Sequence, residues 1–200
     1  MSAADAGARP AARPAGRLQT IIVLGVTAVV IAAAAYLMGG GLGKNGGVTD
    51  VTLSGSVAAA APVAGAVPPG FTATTFDGKK VSLADYVGKP LWLTFGASWC
   101  PDCRTEAPDV QAAYAKYGPQ GLNVLAIFIS EPGSDIAAYA GRVGLTFPIA
   151  VDEQTQIASA YRTMGIPTPF FIGADGKIRD VRIGALQPSE MEHEITGILH

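Results

Sequence analysis

Cysteine and histidine are both scarce in this sequence. Its 200 residues include only two cysteines, Cys100 and Cys103, which lie three positions apart. A small secreted scaffold held together by disulfides carries more cysteines, so that class is excluded. The pair is therefore either a redox pair or half of a metal site. The metal site is disfavoured, because zinc commonly needs four ligands and only His193 and His200 remain, both expected on the surface.

Charged residues are also few, at 15% of the chain, and the net charge is only −2. Without a strong basic excess, binding to nucleic acid is not expected. The charges are unevenly spread. Residues 1–17 carry three arginines and one aspartate, whereas residues 71–200 carry ten Lys/Arg against fourteen Asp/Glu. The larger part of the chain is therefore mildly acidic.

One long hydrophobic run lies near the start of the chain. Ile21 to Met38 read IIVLGVTAVVIAAAAYLM, with Thr27 the only clearly polar side chain. Eighteen helical residues would span about 27 Å, close to the roughly 30 Å of a bilayer core. We therefore predict a single transmembrane anchor at residues 21–38 that lies in the lipid bilayer.

The arginines before this run set its predicted orientation. Basic residues favour the cytoplasmic side, so residues 1–20 are predicted to be a cytoplasmic tail. A cleaved signal peptide is the alternative, which the small residues 32–35 leave open. Both interpretations place the remainder outside the cytoplasm, and the anchored form would belong to the cell membrane.

Two further segments complete the predicted organisation. Residues 39–70 are dominated by Gly, Ala, Pro and Ser and show no amphipathic period. Such a segment buries too little apolar surface to offset the entropy of ordering it, so we predict a flexible linker. The folded domain is expected to begin near Phe71 and to occupy residues 71–200.

Hydrophobic patterning predicts a mixed α/β domain. Strands are predicted at residues 71–76, 80–83, 91–96, 122–130, 147–151, 170–173 and 177–183. Helices are predicted at residues 101–117, 134–141, 153–161 and from 189 to the C-terminus. Asp77-Gly78 is a hairpin turn signal. Ser134 is a candidate helix cap, and Ser189 with Glu192 is a candidate capping box.

The main chemical signal is Trp99-Cys100-Pro101-Asp102-Cys103, which follows a buried strand and begins a predicted helix. A helix N-terminus carries unpaired N–H groups and partial positive charge, which lower a thiol pKa. Pro101 suits the first helical position. Cys103 lies one turn further on, where it can resolve a mixed disulfide, and we expect it to be the more buried cysteine.

Asp102 lies between the two cysteines and allows two interpretations. Its carboxylate opposes thiolate formation, which would raise the cysteine pKa values and favour a reductant. It is also a common type of residue at a solvated helix start. Pro101 and Asp102 are therefore candidate redox-tuning residues.

Several motifs together resemble the TlpA/ResA-like family of membrane-anchored thioredoxin-fold oxidoreductases, within the AhpC/TSA–redoxin superfamily. The resemblance covers roughly residues 71–200. Its motifs are the hairpin at 76–83 with Asp85-Tyr86 and Gly88–Pro90, the active-site approach at 95–100, Glu106 with Pro108, the helix-and-strand insert at 123–152, and the loop Gly165-Ile166-Pro167-Thr168.

The resemblance implies a thioredoxin fold with an N-terminal β-hairpin and a central insert, and no cofactor. Cys100 and Cys103 would be the catalytic pair, and Glu106, one helical turn beyond Cys103, could relay protons to it from a partly buried carboxyl. A surface charge is the alternative for Glu106.

Three residues would bind the substrate. Trp99 would shield the disulfide as an apolar lid, unless it is an ordinary packing residue. Pro167, if its peptide bond is cis, would end the strand ladder beside the thiols. The backbone of Ile166 would then be free to pair with a substrate chain.

The sequence departs from the family pattern at three places. The family often has proline as the second residue between the cysteines, whereas here Pro101 comes first and Asp102 second. Ordinary thioredoxins carry a buried aspartate six residues before the first cysteine, where this chain has Thr94. Pro169 is unusual within a strand and is expected at an edge or a strand start.

The predicted activity is reduction of disulfides in exported proteins, such as those of cytochrome c or copper-site maturation. Electrons would come from a membrane thiol carrier of the CcdA type. A peroxiredoxin is disfavoured, because Leu93 and Ala97 replace its Pro and Thr. Copper delivery is disfavoured by the CxxC spacing. A binding or metal-delivery module without redox turnover stays open as the alternative.

Overall fold

The computed structural model describes residues 16, 21–22, 24–31, 50–54 and 60–200. Residues 21–22 and 24–31 are helical, and their apolar side chains are exposed. No helix within these described ranges is long and apolar enough to cross a membrane. The predicted anchor at 21–38 and tail at 1–20 lie largely outside the described residues, so the anchor stays a prediction.

A mixed five-stranded sheet forms the centre of residues 48–200, as the strand and helix pattern predicts. Its strands are β4 (Leu91–Gly96), β5 (Asn123–Ile129), β6 (Ile149–Asp152), β7 (Thr168–Ile172) and β8 (Ile178–Val181). Their order is β6-β5-β4-β7-β8, with β4, β5 and β6 parallel and with β7 and β8 each antiparallel to the strand before it in that order. All six residues of β4 are buried, which explains its continuous apolar run.

A second, three-stranded sheet contains the predicted hairpin. Its strands are β1 (Thr52–Ser54), β2 (Gly70–Thr74) and β3 (Lys80–Ser82), in that order and all antiparallel. Gly78 has a φ of 85° in the turn between β2 and β3, a conformation that glycine adopts without steric cost. The turn at Asp77-Gly78 is therefore confirmed.

Part of the predicted linker belongs to the fold. β1 lies within residues 39–70, and Gly65 and Ala66 exchange backbone hydrogen bonds of 2.8 and 2.9 Å with Ile178. Tyr161 donates a further hydrogen bond, of 2.8 Å, to the carbonyl of Pro69. The start near Phe71 is therefore too late, because these residues find partners on the domain that their own composition does not reveal. Residues 39–49 and 55–59 lie outside the described residues.

Four helices flank the sheet, and two of their predicted caps are wrong. They are α1 (Pro101–Tyr117), α2 (Gly133–Val143), α3 (Gln156–Ala160) and α4 (Pro188–Leu199). Pro132 caps α2, and Ser134 lies inside it. The capping box of α4 joins Gln187 to Glu190. Pro188 takes the first helical position, where its missing N–H costs no hydrogen bond. The predicted box of Ser189 and Glu192 is therefore two residues too late.

The two faces of the sheet bury separate apolar clusters. Trp92 packs in one with Phe128 and Phe171, together with residues of α1, α2 and α4. Its neighbours Leu93 and Phe95 point to the other face, with Phe170 and residues of β2 and α3. Side chains alternate along a strand, so β4 anchors both clusters. Pro169 is the second residue of β7, consistent with its expected place at a strand start. The rigid end of β4 leads directly into the cysteine motif.

Candidate active site

The two cysteines lie at the N-terminus of α1 and are joined by a disulfide. Cys100 is the N-cap, and its Sγ accepts a hydrogen bond of 3.2 Å from the backbone N–H of Cys103. Pro101 occupies the start of the helix, as the sequence predicts. A sulfur in this position faces the positive end of the helix dipole, which stabilises a thiolate on Cys100.

Burial does not separate the two cysteines in the way the sequence led us to expect. Cys100 is 4% exposed and Cys103 is 8% exposed, so Cys103 is not the more buried one. In the oxidised state the helix turn and the Ile166 loop cover both sulfur atoms, together with Ala97. Trp99 is 54% exposed, so much of its indole ring is open to solvent, and its role as an apolar lid over the disulfide stays a prediction. Pro101 and Asp102 are exposed as well.

The Ile166 loop faces the disulfide. The Ile166–Pro167 peptide bond is cis, and the carbonyl oxygen of Ile166 lies 3.7 Å from Cys100 Sγ. The ladder between β4 and β7 ends at the pair Phe95–Thr168, so Ile166 lies beyond the last paired residue. The structure therefore brings the predicted loop to the cysteine pair.

Glu106 is buried on α1, at 4% exposure. One of its carboxylate oxygens accepts a hydrogen bond of 3.1 Å from the backbone N–H of Leu186. Burial raises the pKa of Glu106 to about 7, the Leu186 hydrogen bond lowers it, and the charges of Asp109 and Asp102 raise it further. Glu106 is therefore a buried carboxyl that can gain or lose a proton near neutral pH.

Glu106 and Cys103 border the same small cavity. Its volume is about 30 Å³, and Cys103, Glu106, Thr94 and Pro167 all contribute to its wall. A volume of roughly 10–15 Å³ is enough for one water molecule. Thr94, which stands where ordinary thioredoxins carry aspartate, is thus beside a carboxyl that α1 supplies instead.

Glu131 is a site residue that the sequence did not single out. It is 4% exposed and follows the end of β5. One oxygen accepts a 2.7 Å hydrogen bond from the backbone N–H of Ser98, and the other pairs with the Ser98 hydroxyl. The signal that could have found it is topological: parallel neighbours β4 and β5 end at the same edge of the sheet, so the residues after each strand meet there.

No group of three or more His, Cys, Asp or Glu side chains suited to a metal ion occurs in the part of the chain that the structure describes. The chemistry that the geometry supports is that of the cysteine pair: a disulfide at a helix N-terminus, a buried carboxyl that shares a cavity with Cys103, and an exposed tryptophan.

Comparison with known proteins gives a consistent picture. The thiol-disulfide oxidoreductase ResA of Geobacillus kaustophilus is 34% identical over 134 residues, which cover 67% of this chain and 77% of that protein. ResA of Bacillus anthracis is 33% identical over 124 residues, covering 62% and 72%. These relatives support a protein-disulfide oxidoreductase activity.

Solved structures give the same fold. A thioredoxin-family thiol:disulfide interchange protein of Chlorobium tepidum has a TM-score of 0.62 and 28% identity, covering 72% of this chain and all of that one. StoA of Bacillus subtilis has a TM-score of 0.56 and 26% identity, covering 64% and 98%. The fold is therefore the thioredoxin fold. A model of the AhpC/TSA family matches residues 64–181, and with the cysteine pair in place the chain belongs to that family.

Proposed function

We propose that this thiol–disulfide oxidoreductase works as a reductase of disulfides in exported proteins. The observation that carries the direction is the buried carboxyl of Glu106, which shares a cavity with Cys103. The reduced pair holds a thiolate, whereas the disulfide is neutral. A nearby carboxylate repels this thiolate, so it destabilises the reduced pair and favours transfer of the pair's electrons to a substrate. In a strong oxidant the opposite holds, because its reduced form is stabilised. Asp102 acts in the same direction.

The reaction proceeds by two exchanges. The thiolate of Cys100 attacks one sulfur of the substrate disulfide, which forms a mixed disulfide and releases the other substrate sulfur as a thiolate. The thiolate of Cys103 then attacks Cys100 Sγ, which releases the second substrate thiol and forms the Cys100–Cys103 disulfide. Two electrons pass to the substrate, and the two protons of the dithiol balance its two new thiols.

Glu106 would serve the second exchange. Cys103 must lose its proton before it attacks, and a carboxyl with a pKa of about 7 can accept that proton at neutral pH. The cavity of about 30 Å³ has room for a water molecule between the two groups. Glu106 would thus provide a path for the proton of a cysteine that is only 8% exposed.

The substrate would lie against Trp99 and the Ile166 loop. Trp99 offers an exposed aromatic surface next to the disulfide, and Ile166 lies beyond the end of the β4–β7 ladder. An extended substrate segment can therefore pair with the backbone of Ile166 while it packs on Trp99. Pro167 has no backbone N–H to donate, and its carbonyl already accepts a 2.8 Å hydrogen bond from the N–H of Gly184, so in this proposal the substrate pairs with Ile166.

The setting proposed for this reaction is the outer face of the cell membrane. The support is the hydrophobic run at 21–38 behind three arginines. Outside the cytoplasm the oxidised pair needs a source of electrons, and a membrane dithiol carrier of the CcdA type would supply them. Maturation of cytochrome c or of a copper site would provide substrates of the proposed kind.

A measured reduction potential tests the direction. We expect a value nearer that of thioredoxin, about −270 mV, than that of a strong oxidant, about −120 mV. Insulin reduction in the presence of a dithiol should proceed with the wild type and stop in Cys100→Ser. A potential near that of the strong oxidant would show that the protein introduces disulfides, while the exchange chemistry itself would stand.

A further inference from the structure

A second, polar cavity lies directly beside the cysteine motif. Its volume is about 390 Å³, and Pro101, between the two cysteines, forms part of its wall. The helix α1 also contributes Arg104 and Thr105, which share one face with Pro101 because residues three and four apart on a helix lie on the same side. The helix α2 closes the other side with Tyr139 and Arg142.

Both arginines of this cavity are without a carboxylate partner. Arg179 and Arg182 form ion pairs with carboxylates, whereas among the described residues neither Arg104 nor Arg142 enters one. Residues 71–200 carry more acidic than basic side chains, so two unpaired guanidinium groups on one cavity stand out from the surrounding surface. Their positive charge would attract an anion.

The hydroxyl group of Tyr139 supports the same conclusion. Tyr139 is 3% exposed, and its hydroxyl is buried without a hydrogen-bond partner in the described part of the chain. Buried hydroxyl groups normally have a partner. Tyr139 interacts electrostatically with Arg104, Arg142 and Glu131. Both carboxylate oxygens of Glu131 already pair with Ser98, and the residues that line the cavity include two arginines and no carboxylate.

We propose that this cavity binds a carboxylate of the substrate, supplied by an Asp or Glu side chain close to the cysteine that Cys100 attacks. A carboxylate accepts hydrogen bonds from guanidinium groups and a tyrosine hydroxyl, and Arg–carboxylate pairs are strong and directional. The wall formed by Pro101 places the charge beside the reacting sulfur. The inference rests on the proposed function, because the carboxylate belongs to the disulfide substrate.

The test compares matched disulfide peptides that differ by Glu or Gln at each position around the cysteine in turn. Rates of exchange with the full-length reduced protein are measured at low salt. We expect the Glu peptide to react faster at one or more positions. Arg142→Gln and Arg104→Gln should each reduce the Glu-to-Gln rate ratio about two- to fivefold, which is the size of effect expected when a partly exposed ion pair is lost. Added salt should also reduce this ratio, because it screens the charges.

The rate ratio separates the cavity from other effects. A substitution that alters the reactivity of the cysteines changes the exchange rates with the Glu and Gln peptides by the same factor. Only the ratio of the two rates therefore measures binding of the carboxylate. Arg142→Lys should keep most of the preference, Arg142→Glu should reverse it towards a Lys peptide, and Arg179→Gln, which removes an arginine outside the cavity, should leave it unchanged. A ratio near one at every position, or a ratio that both Gln variants leave unchanged, would overturn the proposal.

The same exchange reaction tests the cavity and the proposed direction of electron transfer separately. The position of its equilibrium tests whether the protein is a reductant, whereas the ratio of rates tests the cavity. If the protein turned out to be an oxidant, exchange started from the oxidised protein and reduced peptides would yield the same comparison.

Discussion

Glu131 holds Ser98, two residues before Cys100, through both oxygens of a buried carboxylate. The contact joins the end of β5 to the segment that connects β4 with α1. Ala97 accepts a 3.2 Å backbone hydrogen bond from Cys100 within this same segment. Glu131 therefore positions the segment that leads into the cysteine motif.

Removal of this carboxylate should destabilise the oxidised protein. Glu131→Ala leaves the N–H and the hydroxyl of Ser98 without their acceptor, which costs about 1–3 kcal/mol. Glu131→Gln retains the shape and one acceptor oxygen, so it should cost less. Urea unfolding of both variants measures the free energies. The double variant with Ser98→Ala should show clear non-additivity, and additive losses would mean that the contact contributes nothing specific.

Cys100 should be the cysteine that reacts first in the reduced protein. Its sulfur accepts the N–H of Cys103 at the helix N-terminus, whereas Cys103 borders the cavity of Glu106. A pKa lower by one unit increases the thiolate population about tenfold. Substoichiometric iodoacetamide followed by peptide mass spectrometry should place the label on Cys100. Label found mainly on Cys103 would reverse the two roles.

The sequence predicted the catalytic chemistry more closely than the extent of the fold. The β4 run and the α1 start at Pro101 are local patterns, so their bounds were predicted correctly. β1 was missed because it is formed by pairing with β2, and the Gly/Ala-rich composition of its segment does not reveal that pairing. Glu131 was missed for a related reason: its partner Ser98 is 33 residues away and is brought near only by parallel pairing.

The positively charged cavity could not be predicted from the sequence either. Arg104 and Arg142 are ordinary exposed residues when read along the chain. They line one cavity only because the fold brings α1 and α2 to the same face of the sheet. Glu106 could be predicted, because one helical turn from Cys103 is a local relation, but its burial depends on Leu186 near the start of α4.

The hydrophobic run at 21–38 should remain on the mature protein. Its eighteen apolar residues behind three arginines favour an uncleaved anchor. Intact-mass spectrometry of the protein purified from its native membrane should find the N-terminal residues present. Carbonate extraction should leave it in the membrane fraction, while a deletion of residues 1–38 should be released. A mature N-terminus beyond residue 35 would identify a cleaved signal peptide.

Glu106 should also tune the thiols. Its ionised carboxylate raises the cysteine pKa values by repulsion, so Glu106→Gln should lower the apparent thiol pKa. The pH dependence of alkylation measures it, with circular dichroism as the control for folding. Curves that agree within about 0.3 units correspond to coupling below roughly 0.4 kcal/mol and would contradict a role of Glu106 in the thiol chemistry.

The same carboxyl should make stability depend on pH. Burial raises the pKa of Glu106 from 4.5 to about 7 in the folded protein. Between these values the folded chain holds a proton that the unfolded chain has lost. The stabilisation is therefore complete below pH 4.5 and disappears as the pH rises through 7, a loss of about 3 kcal/mol in total.

Glu106→Gln should remove this dependence, because the amide does not titrate. Asp152 is buried too, and its pKa is likewise raised by burial, so the wild type and the variant must be compared at each pH. Urea unfolding of the oxidised protein between pH 4 and 8 should give a difference in unfolding free energy that grows in favour of the variant as the pH rises. Glu153→Gln, at an exposed glutamate, should follow the wild-type curve. If the Glu106→Gln curve instead runs parallel to that of the wild type, the carboxyl of Glu106 ionises freely in the folded protein, and it could not hold a proton for Cys103.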